Sequence, residues 1–150
     1  MIHKRFHCGK YPTIDVEVIA NNCETIEEFE QKCPDEMLND DRRVGYYLTD
    51  LLNRYEKKDS QASEAAMLST GYVNHIANGK RKPSRDILIR ICLGLHATVD
   101  ETQELLKCAG EAPLYVRRKR DVVIWFGLLK KEEVETVNYN LKKRGLKAFY

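Results

Sequence analysis

The sequence predicts a mainly α protein with a small N-terminal segment that contains a strand, and three observations lead to that prediction. From Val44 onward, apolar residues recur at the i, i+3, i+4 and i+7 spacing of amphipathic helices. Residues 119–150 then repeat the pattern of residues 84–115. Residues 13–18, by contrast, alternate apolar and polar side chains, which is typical of a half-buried strand. We therefore predict a helical bundle, a second helical hairpin formed by duplication, and a small N-terminal segment that contains a strand.

Length and charge divide the chain into an acidic segment and a basic remainder. The 150 residues are enough for one good core. Residues 1–43 carry 6 Lys/Arg against 10 Asp/Glu, whereas residues 44–150 carry 19 Lys/Arg against 13 Asp/Glu. The basic remainder of the chain therefore suits a polyanionic partner. No stretch is apolar enough for a membrane span, and the N-terminus lacks the apolar core of a secretory signal. We therefore expect a cytoplasmic protein.

The reactive side chains indicate neither a metal site nor catalysis. The five cysteines form no Cys-x-x-Cys pair, so we expect reduced thiols. Among the possible ligands His3, His7, Cys8, Cys23 and Cys33, only His7 and Cys8 are close in sequence, and we expect no metal. No motif joins a histidine to a nucleophile, and no glycine-rich phosphate loop occurs. We expect neither an enzyme nor a cofactor.

The N-terminal segment, residues 1–43, contains one predicted strand and one predicted short helix. The strand around residues 14–18 could pair within the segment or with the same strand of a second subunit. Thr25 and Glu28 form a T-x-x-E capping box, which predicts a helix through about Cys33. Residues 34–43 are predicted to be a linker.

Helices are predicted for the remainder of the chain. The first has Val44, Tyr47, Leu48, Leu51, Leu52 and Tyr55 on one face, and Asp40 and Asp41 favour its start. Six more are predicted at about 60–66, 70–78, 85–95, 100–109, 120–129 and 132–144. Ser69 is expected to cap the helix over 70–78, which Asn78 and Gly79 end, and Ser84 is expected to cap the next helix.

A shift of 35 residues aligns 84–115 with 119–150 without a gap. Nine of the 32 aligned positions are identical, against about two expected from ordinary composition. The identical pairs are Arg85/Arg120, Asp86/Asp121, Ile89/Ile124, Leu93/Leu128, Val99/Val134, Leu106/Leu141, Lys107/Lys142, Gly110/Gly145 and Tyr115/Tyr150. Helical hairpins bury their apolar faces by stacking, so we predict that the second hairpin, 116–150, packs on the first. The alternative is amphipathic spacing that coincides by chance.

The stretch LSTGYVNHIANGKRKPS, from Leu68 to Ser84, resembles the helix-turn-helix of the Cro/repressor-type (XRE family) transcriptional regulators. The match to that family's Ile-Ser, Tyr-Ile, Ile, Gly and Pro-Ser positions has no gap, and the resemblance covers roughly residues 44–109. It implies a lambda-repressor-like bundle of five helices within a domain over 44–115. It further implies sequence-specific binding of double-stranded DNA, as a homodimer, to regulate transcription.

The candidate DNA contacts come from the helix over 70–78 and the basic loop over 80–85. Val73 and Ile76 are spaced to anchor one side of this helix in a core. The residues then left to read bases in the major groove are Thr70, Gly71, Tyr72, Asn74 and His75. The residues expected to bind phosphates are Ser60, Gln61, Ser69, Lys80, Arg81, Lys82 and Arg85. The alternative is a solvated helix face followed by a basic turn.

Two departures from the family pattern affect these expectations. Met67 stands at a turn position that is commonly glycine, so a different turn geometry is expected. The helix over 70–78 has no Lys or Arg, so the commonest guanine contact is missing. The alternative function is a protein-interaction module derived from a helix-turn-helix, antitoxin-like or an adaptor, whose stacked C-terminal hairpins bind another protein.

Overall fold

The computed structural model describes residues 13–34 and 40–150, and within them it has nine helices and no strand. The helices are α1 (Thr13–Asn21), α2 (Ile26–Lys32), α3 (Asp40–Arg54), α4 (Asp59–Ala65), α5 (Tyr72–Ala77), α6 (Arg85–Leu95), α7 (Val99–Cys108), α8 (Lys119–Leu129) and α9 (Val134–Lys143). The mainly α prediction is confirmed. Of the predicted linker, residues 40–43 instead begin α3, and residues 35–39 lie outside the described residues.

The predicted N-terminal strand is wrong, because α1 occupies residues 13–21. A strand needs a partner strand, and the described residues contain none. The helix instead groups the partly buried Val16 and Ile19, three residues apart, on one side. Ile14 and Val18 are left 68% and 55% exposed. The alternation of apolar and polar residues therefore does not reflect alternating burial.

Several helices begin where local capping residues predict. Thr25 accepts a hydrogen bond from the Glu28 N–H (3.1 Å) at the start of α2, and Ser84 accepts one from the Ile87 N–H (3.3 Å) at the start of α6. Side-chain acceptors at these positions satisfy amides that have no partner within the helix. At α7, Thr98 and Glu101 form a reciprocal capping box that was not predicted from the sequence.

Helices α3 to α7 pack around a shared core. α3 contacts α5 and α7, and α4 contacts α5 and α6. The predicted face of α3 is confirmed, since Leu48 and Leu51 are fully buried in it. Gly45 allows α3 to approach α5 closely, because a Cβ there would lie 2.4 Å from the Ala77 carbonyl oxygen. The bundle thus places the C-terminal end of α5 directly against α3.

The two C-terminal hairpins, α6–α7 and α8–α9, pack on each other, with α6 against both α8 and α9 and α7 against α8. The contact is reciprocal. Arg85 donates to both Asp121 carboxylate oxygens (3.2 and 3.1 Å), and the equivalent Arg120 donates to both oxygens of the equivalent Asp86 (2.8 and 2.9 Å). Contacts that exchange equivalent residues in this way are those of a two-fold interface, here formed within one chain.

Other contacts recur at the 35-residue shift. The Gln103 side chain accepts from the Leu114 N–H and donates to the Leu114 carbonyl. The equivalent Asn138 accepts from the Phe149 N–H and donates to the Tyr150 carbonyl. Both hairpins therefore fold their C-terminal tail back onto their second helix with one amide side chain.

Candidate nucleic-acid interface

Helix α5 is held by one buried side and presents the other side to solvent. Val73 and Ile76 are buried, as their spacing predicts, and Asn74 and His75 are exposed. The Ser63 hydroxyl of α4 accepts a hydrogen bond from the Val73 N–H (3.1 Å), which caps the first turn of α5 from a neighbouring helix. The orientation of α5 is thus set by α3 and α4.

The start of α5 differs from the prediction. The helix begins at Tyr72, with Gly71 at the N-cap in a left-handed conformation (φ 84°), and Ser69 does not cap it. Ser63 provides the capping oxygen, so a serine near the helix in sequence is not needed. Thr70 and Gly71 consequently precede the helix. The predicted end is confirmed, since Asn78 is the C-cap and Gly79 has φ 73°.

The turn between α4 and α5 is stabilised by a buried arginine. Met67 has φ 60°, a conformation that a glycine adopts without strain. The Arg90 guanidinium donates to the Ala66 carbonyl (3.1 Å) and to the Met67 carbonyl (2.6 Å). These bonds satisfy carbonyl groups at the end of α4 and offset the strain at Met67. The different turn geometry expected at Met67 is therefore not found, because Met67 adopts the left-handed conformation that favours glycine.

The predicted base-reading residues do not have equal access to a ligand. Thr70 and His75 are exposed, whereas Tyr72 is partly buried against the core with the Arg81 guanidinium 4.1 Å above its ring. Asn74 is exposed, but its amide donates to Asp59 (2.8 Å) and accepts from Asn78 (3.0 Å). A base contact by Asn74 would have to replace these bonds.

Exposed cations lie next to α5. Lys80, Arg81 and Lys82 are all exposed, and the N–H groups of Lys80 and Arg81 both donate to the His75 carbonyl (2.8 and 3.2 Å). These bonds fix the start of the loop against the end of α5. Lys58 is also exposed, and it directly precedes Asp59, which contacts α5. Lys57 and Lys58 were not predicted as contacts, although their position before Ser60 and Gln61 was a signal for them.

Arg85 does not belong to this exposed cluster, which corrects the expectation that it lies free beside the loop. Its guanidinium binds Asp121 and the carbonyl groups of Ala112 and Pro113, at 2.9 to 3.2 Å. An arginine with an ion-pair partner and two carbonyl acceptors has little donor capacity left for a phosphate. We leave Arg85 out of the candidate interface.

The three predicted phosphate ligands outside the basic loop are Ser60, Gln61 and Ser69, and all three are exposed. Ser60 and Thr70 line a groove of about 420 Å³ between α4 and the turn, together with Glu64 and Met67. The Gln61 side-chain oxygen accepts from the Lys58 N–H (2.9 Å), so Gln61 helps to cap α4. Ser69 is exposed, and its carbonyl accepts from the Tyr72 N–H. The carboxylates of Asp59 and Glu64 make this side of the interface less basic than the loop.

The cysteines of the described residues form no disulfide bond; they are Cys23, Cys33, Cys92 and Cys108. Burial raises the pKa of the Cys92 thiol to about 12. The described residues hold no group of three or more His, Cys, Asp or Glu side chains that could bind a metal, and His3, His7 and Cys8 lie outside them. No helix in the described ranges is long and apolar enough to cross a membrane.

Comparison of the chain with protein-family models, with curated proteins and with solved structures finds no match.

Proposed function

We propose that this protein is a DNA-binding transcriptional regulator of the Cro/repressor type, with α3 to α7 as a lambda-repressor-like bundle. In this proposal α5 enters the major groove and the loop 80–82 contacts the phosphates. The observation that carries it is the exposed side of α5, with Asn74 and His75, next to the three exposed cations of the loop 80–82. The second hairpin, α8–α9, packs on α6 and α7.

The geometry favours binding dominated by the phosphate backbone. α5 has six residues and no Lys or Arg, so few base contacts are available to it. Asn74 must exchange its bonds to Asp59 and Asn78 before it can pair with an adenine, which reduces the net gain. We therefore propose modest sequence preference, carried by Thr70, Asn74 and His75.

A homodimer is part of the proposal. One short helix reads too few base pairs for a regulator, and a two-fold dimer would place two copies of α5 about 34 Å apart on a pseudopalindromic site. The dimer contact cannot be a pair of N-terminal strands, because Thr13–Asn21 is helical. The exposed apolar side chains of α1 and of the second hairpin are the remaining candidates.

The salt dependence of duplex binding tests this function. Changing Lys80 and Lys82 to Gln removes two cations while sparing Arg81, which stacks on Tyr72. The salt slope is the magnitude of the fall of log affinity with log salt, and each phosphate contact contributes about 0.9 to it. The double variant should therefore reduce the salt slope by about 1.8. The matched control changes Lys130 and Lys131, which are exposed at the end of α8. The proposal would be refuted if the parent protein bound duplex DNA independently of salt, or if the loop variant kept the salt slope of the parent.

A second candidate function is supported by an open apolar face on the second hairpin. A groove of about 190 Å³ lies between α8 and α9, and Val123, Phe126 and Asn140 are among its lining residues. Residues 116–150 carry 10 Lys/Arg against 4 Asp/Glu, so the fitting partner is an acidic protein segment with an apolar anchor. Peptides selected on the immobilised protein should then be acidic and should lose binding to Phe126→Ser.

A further inference from the structure

We propose that the second hairpin adds its own phosphate-binding segment, Arg117 to Lys119, to the DNA interface. The ligand is the phosphodiester backbone of duplex DNA, contacted a second time beside the contact made by the loop 80–82. This inference rests on the proposed function and extends it to the duplicated hairpin. Nothing in the helix-turn-helix resemblance covers these residues, since it ends near Ala109.

The first argument is position. The ion pairs of Arg85 with Asp121 and of Arg120 with Asp86 hold the first turns of α6 and α8 side by side. The segments that lead into these two helices must therefore arrive at the same end of the helix pair. The loop 80–82 leads into α6, and the segment 117–119 leads into α8 and includes its first residue, Lys119.

The second argument is equivalence within the repeat. The 35-residue shift places Lys82 on Arg117, so the same part of each hairpin carries exposed cations. The segment before α8 is ordered by backbone contacts: the Tyr115 N–H donates to Asp121 (3.0 Å) and the Arg118 N–H donates to the Tyr115 carbonyl (3.0 Å). A phosphate-binding segment gains from such order, because less conformational entropy is lost on binding.

The third argument is the balance of charge at this end of the hairpins. Residues 80–86, 109–121 and 144–150 carry 10 Lys/Arg against 3 Asp/Glu. Two of the three carboxylates, Asp86 and Asp121, are already paired with Arg120 and Arg85. The third is Glu111. The exposed cations of the loop 80–82 and of the segment 117–119 thus remain largely uncompensated, which favours a polyanion over a neutral ligand.

The reciprocal ion pairs explain why these cations are available. Arg85 and Arg120 neutralise the acidic residues of the first helical turns within the protein. Without that arrangement, Asp86 and Asp121 would compete with DNA for the neighbouring lysines and arginines. The duplicated Arg-Asp pair therefore joins the hairpins and leaves both basic segments free for phosphate.

Fluorescence anisotropy on a labelled random-sequence duplex tests the inference across a salt series. The four proteins are the parent, Lys80→Gln with Lys82→Gln, Arg117→Gln with Arg118→Gln, and the control Lys130→Gln with Lys131→Gln. The Arg117/Arg118 variant should lower the salt slope by about 1.8, as the loop variant does. Over a fourfold range of salt, this difference corresponds to about a twelvefold difference in affinity. The control removes two charges from the opposite end of α8 and should keep the parental slope.

Each alternative outcome has a separate meaning. If the loop variant lowers the slope and the Arg117/Arg118 variant behaves as the parent, the further inference is wrong and the proposed function stands. If all three variants lower the slope equally, binding follows net charge and the further inference is also wrong. If the parent shows no salt-dependent binding, the proposed function itself fails. Far-UV circular dichroism and Trp125 fluorescence check that each variant retains the parental fold.

Discussion

The hairpins α6–α7 and α8–α9 share a residue pattern but are covered to different extents. α6 contacts α4 and α7 contacts α3, so the first hairpin lies between these two helices of the bundle and the second hairpin. The second hairpin packs on α6 and α7 with one face, and its opposite face carries exposed apolar side chains. On that face Phe126 and Leu129 are 52% and 59% exposed.

Equivalent positions show what this difference does to the sequence. Ile91 is fully buried, whereas its equivalent Phe126 is half-exposed. A Cβ on Gly94 would lie 2.9 Å from the backbone of Ala65 in α4, whereas the equivalent Leu129 has open space. The paired Arg and Asp residues at the contact between the hairpins are instead identical in both copies. The place of a hairpin in the stack, rather than the repeat itself, thus decides which positions form the core.

The largest difference in the free energy of unfolding is expected between substitutions of the two equivalent aspartates, Asp121 and Asp86. Asp121 is buried and accepts hydrogen bonds from Arg85 and from the Tyr115 N–H, so Asp121→Ala leaves these donors without their acceptor. We expect it to lower the free energy of unfolding by about 3 to 5 kcal/mol. Urea unfolding followed by Trp125, the single tryptophan of the chain, reports on the second hairpin.

The matched variant is Asp86→Ala. The Asp86 side chain is 25% exposed, so water can replace part of its ion pair with Arg120. We expect a loss of about 1 to 2 kcal/mol. Equal losses for the two variants would show that the reciprocal ion pairs have the same energy despite their different burial.

The second comparison concerns Ile91 and its equivalent Phe126. Ile91→Ala should cost about 2 to 4 kcal/mol, because it leaves a cavity in the core. Phe126→Ala should cost less than about 1 kcal/mol, because half of that side chain is already in water. Urea midpoints measured by circular dichroism provide both values. A cost for Phe126→Ala as large as that for Ile91→Ala would mean that another surface covers the second hairpin.

Local patterns predicted most helices because their stop and start signals are local. Ser84 and Gly79, for example, act on amides and carbonyls within a few residues of themselves. The start of α5 was missed because its cap comes from Ser63, which is brought to α5 by tertiary packing. The N-terminal strand was wrong because the alternation over residues 13–18 does not reveal whether a partner strand exists, and the described residues contain none.

The candidate site shows the same division between local and distant effects. The exposure of Asn74 and His75 followed from the burial of Val73 and Ile76. The partner of Asn74 could not be predicted, because Asp59 lies 15 residues away. Arg85 was assigned to the loop although its ion-pair partner is 36 residues away. The signal for that partner was present, since both copies of the repeat contain an Arg-Asp pair at the same position.

The last comparison concerns a carboxylate of the first hairpin that has no counterpart at the equivalent position of the second. Burial alone would raise the pKa of Glu101, but hydrogen bonds from the Thr98 N–H, the Tyr55 hydroxyl and Arg54 outweigh it and lower the pKa. At the equivalent position in α9 stands Thr136, and Glu133 at the N-cap makes no side-chain cap bond. The first hairpin should therefore lose stability in acid through a group that the second hairpin lacks.

The pH range in which Glu101 stabilises the fold follows from the lowering of its pKa. Because the pKa of Glu101 is lower in the folded protein than the ordinary 4.5, its stabilisation is complete above that value and is lost as the pH falls through the folded pKa. Glu101→Gln should therefore cost about 1 to 2 kcal/mol at neutral pH, and this difference from the parent should disappear in acid. Urea unfolding of both proteins between about pH 7 and pH 3 measures it. A difference that stays constant over this range would show that Glu101 stabilises α7 without its charge, through packing or a neutral hydrogen bond.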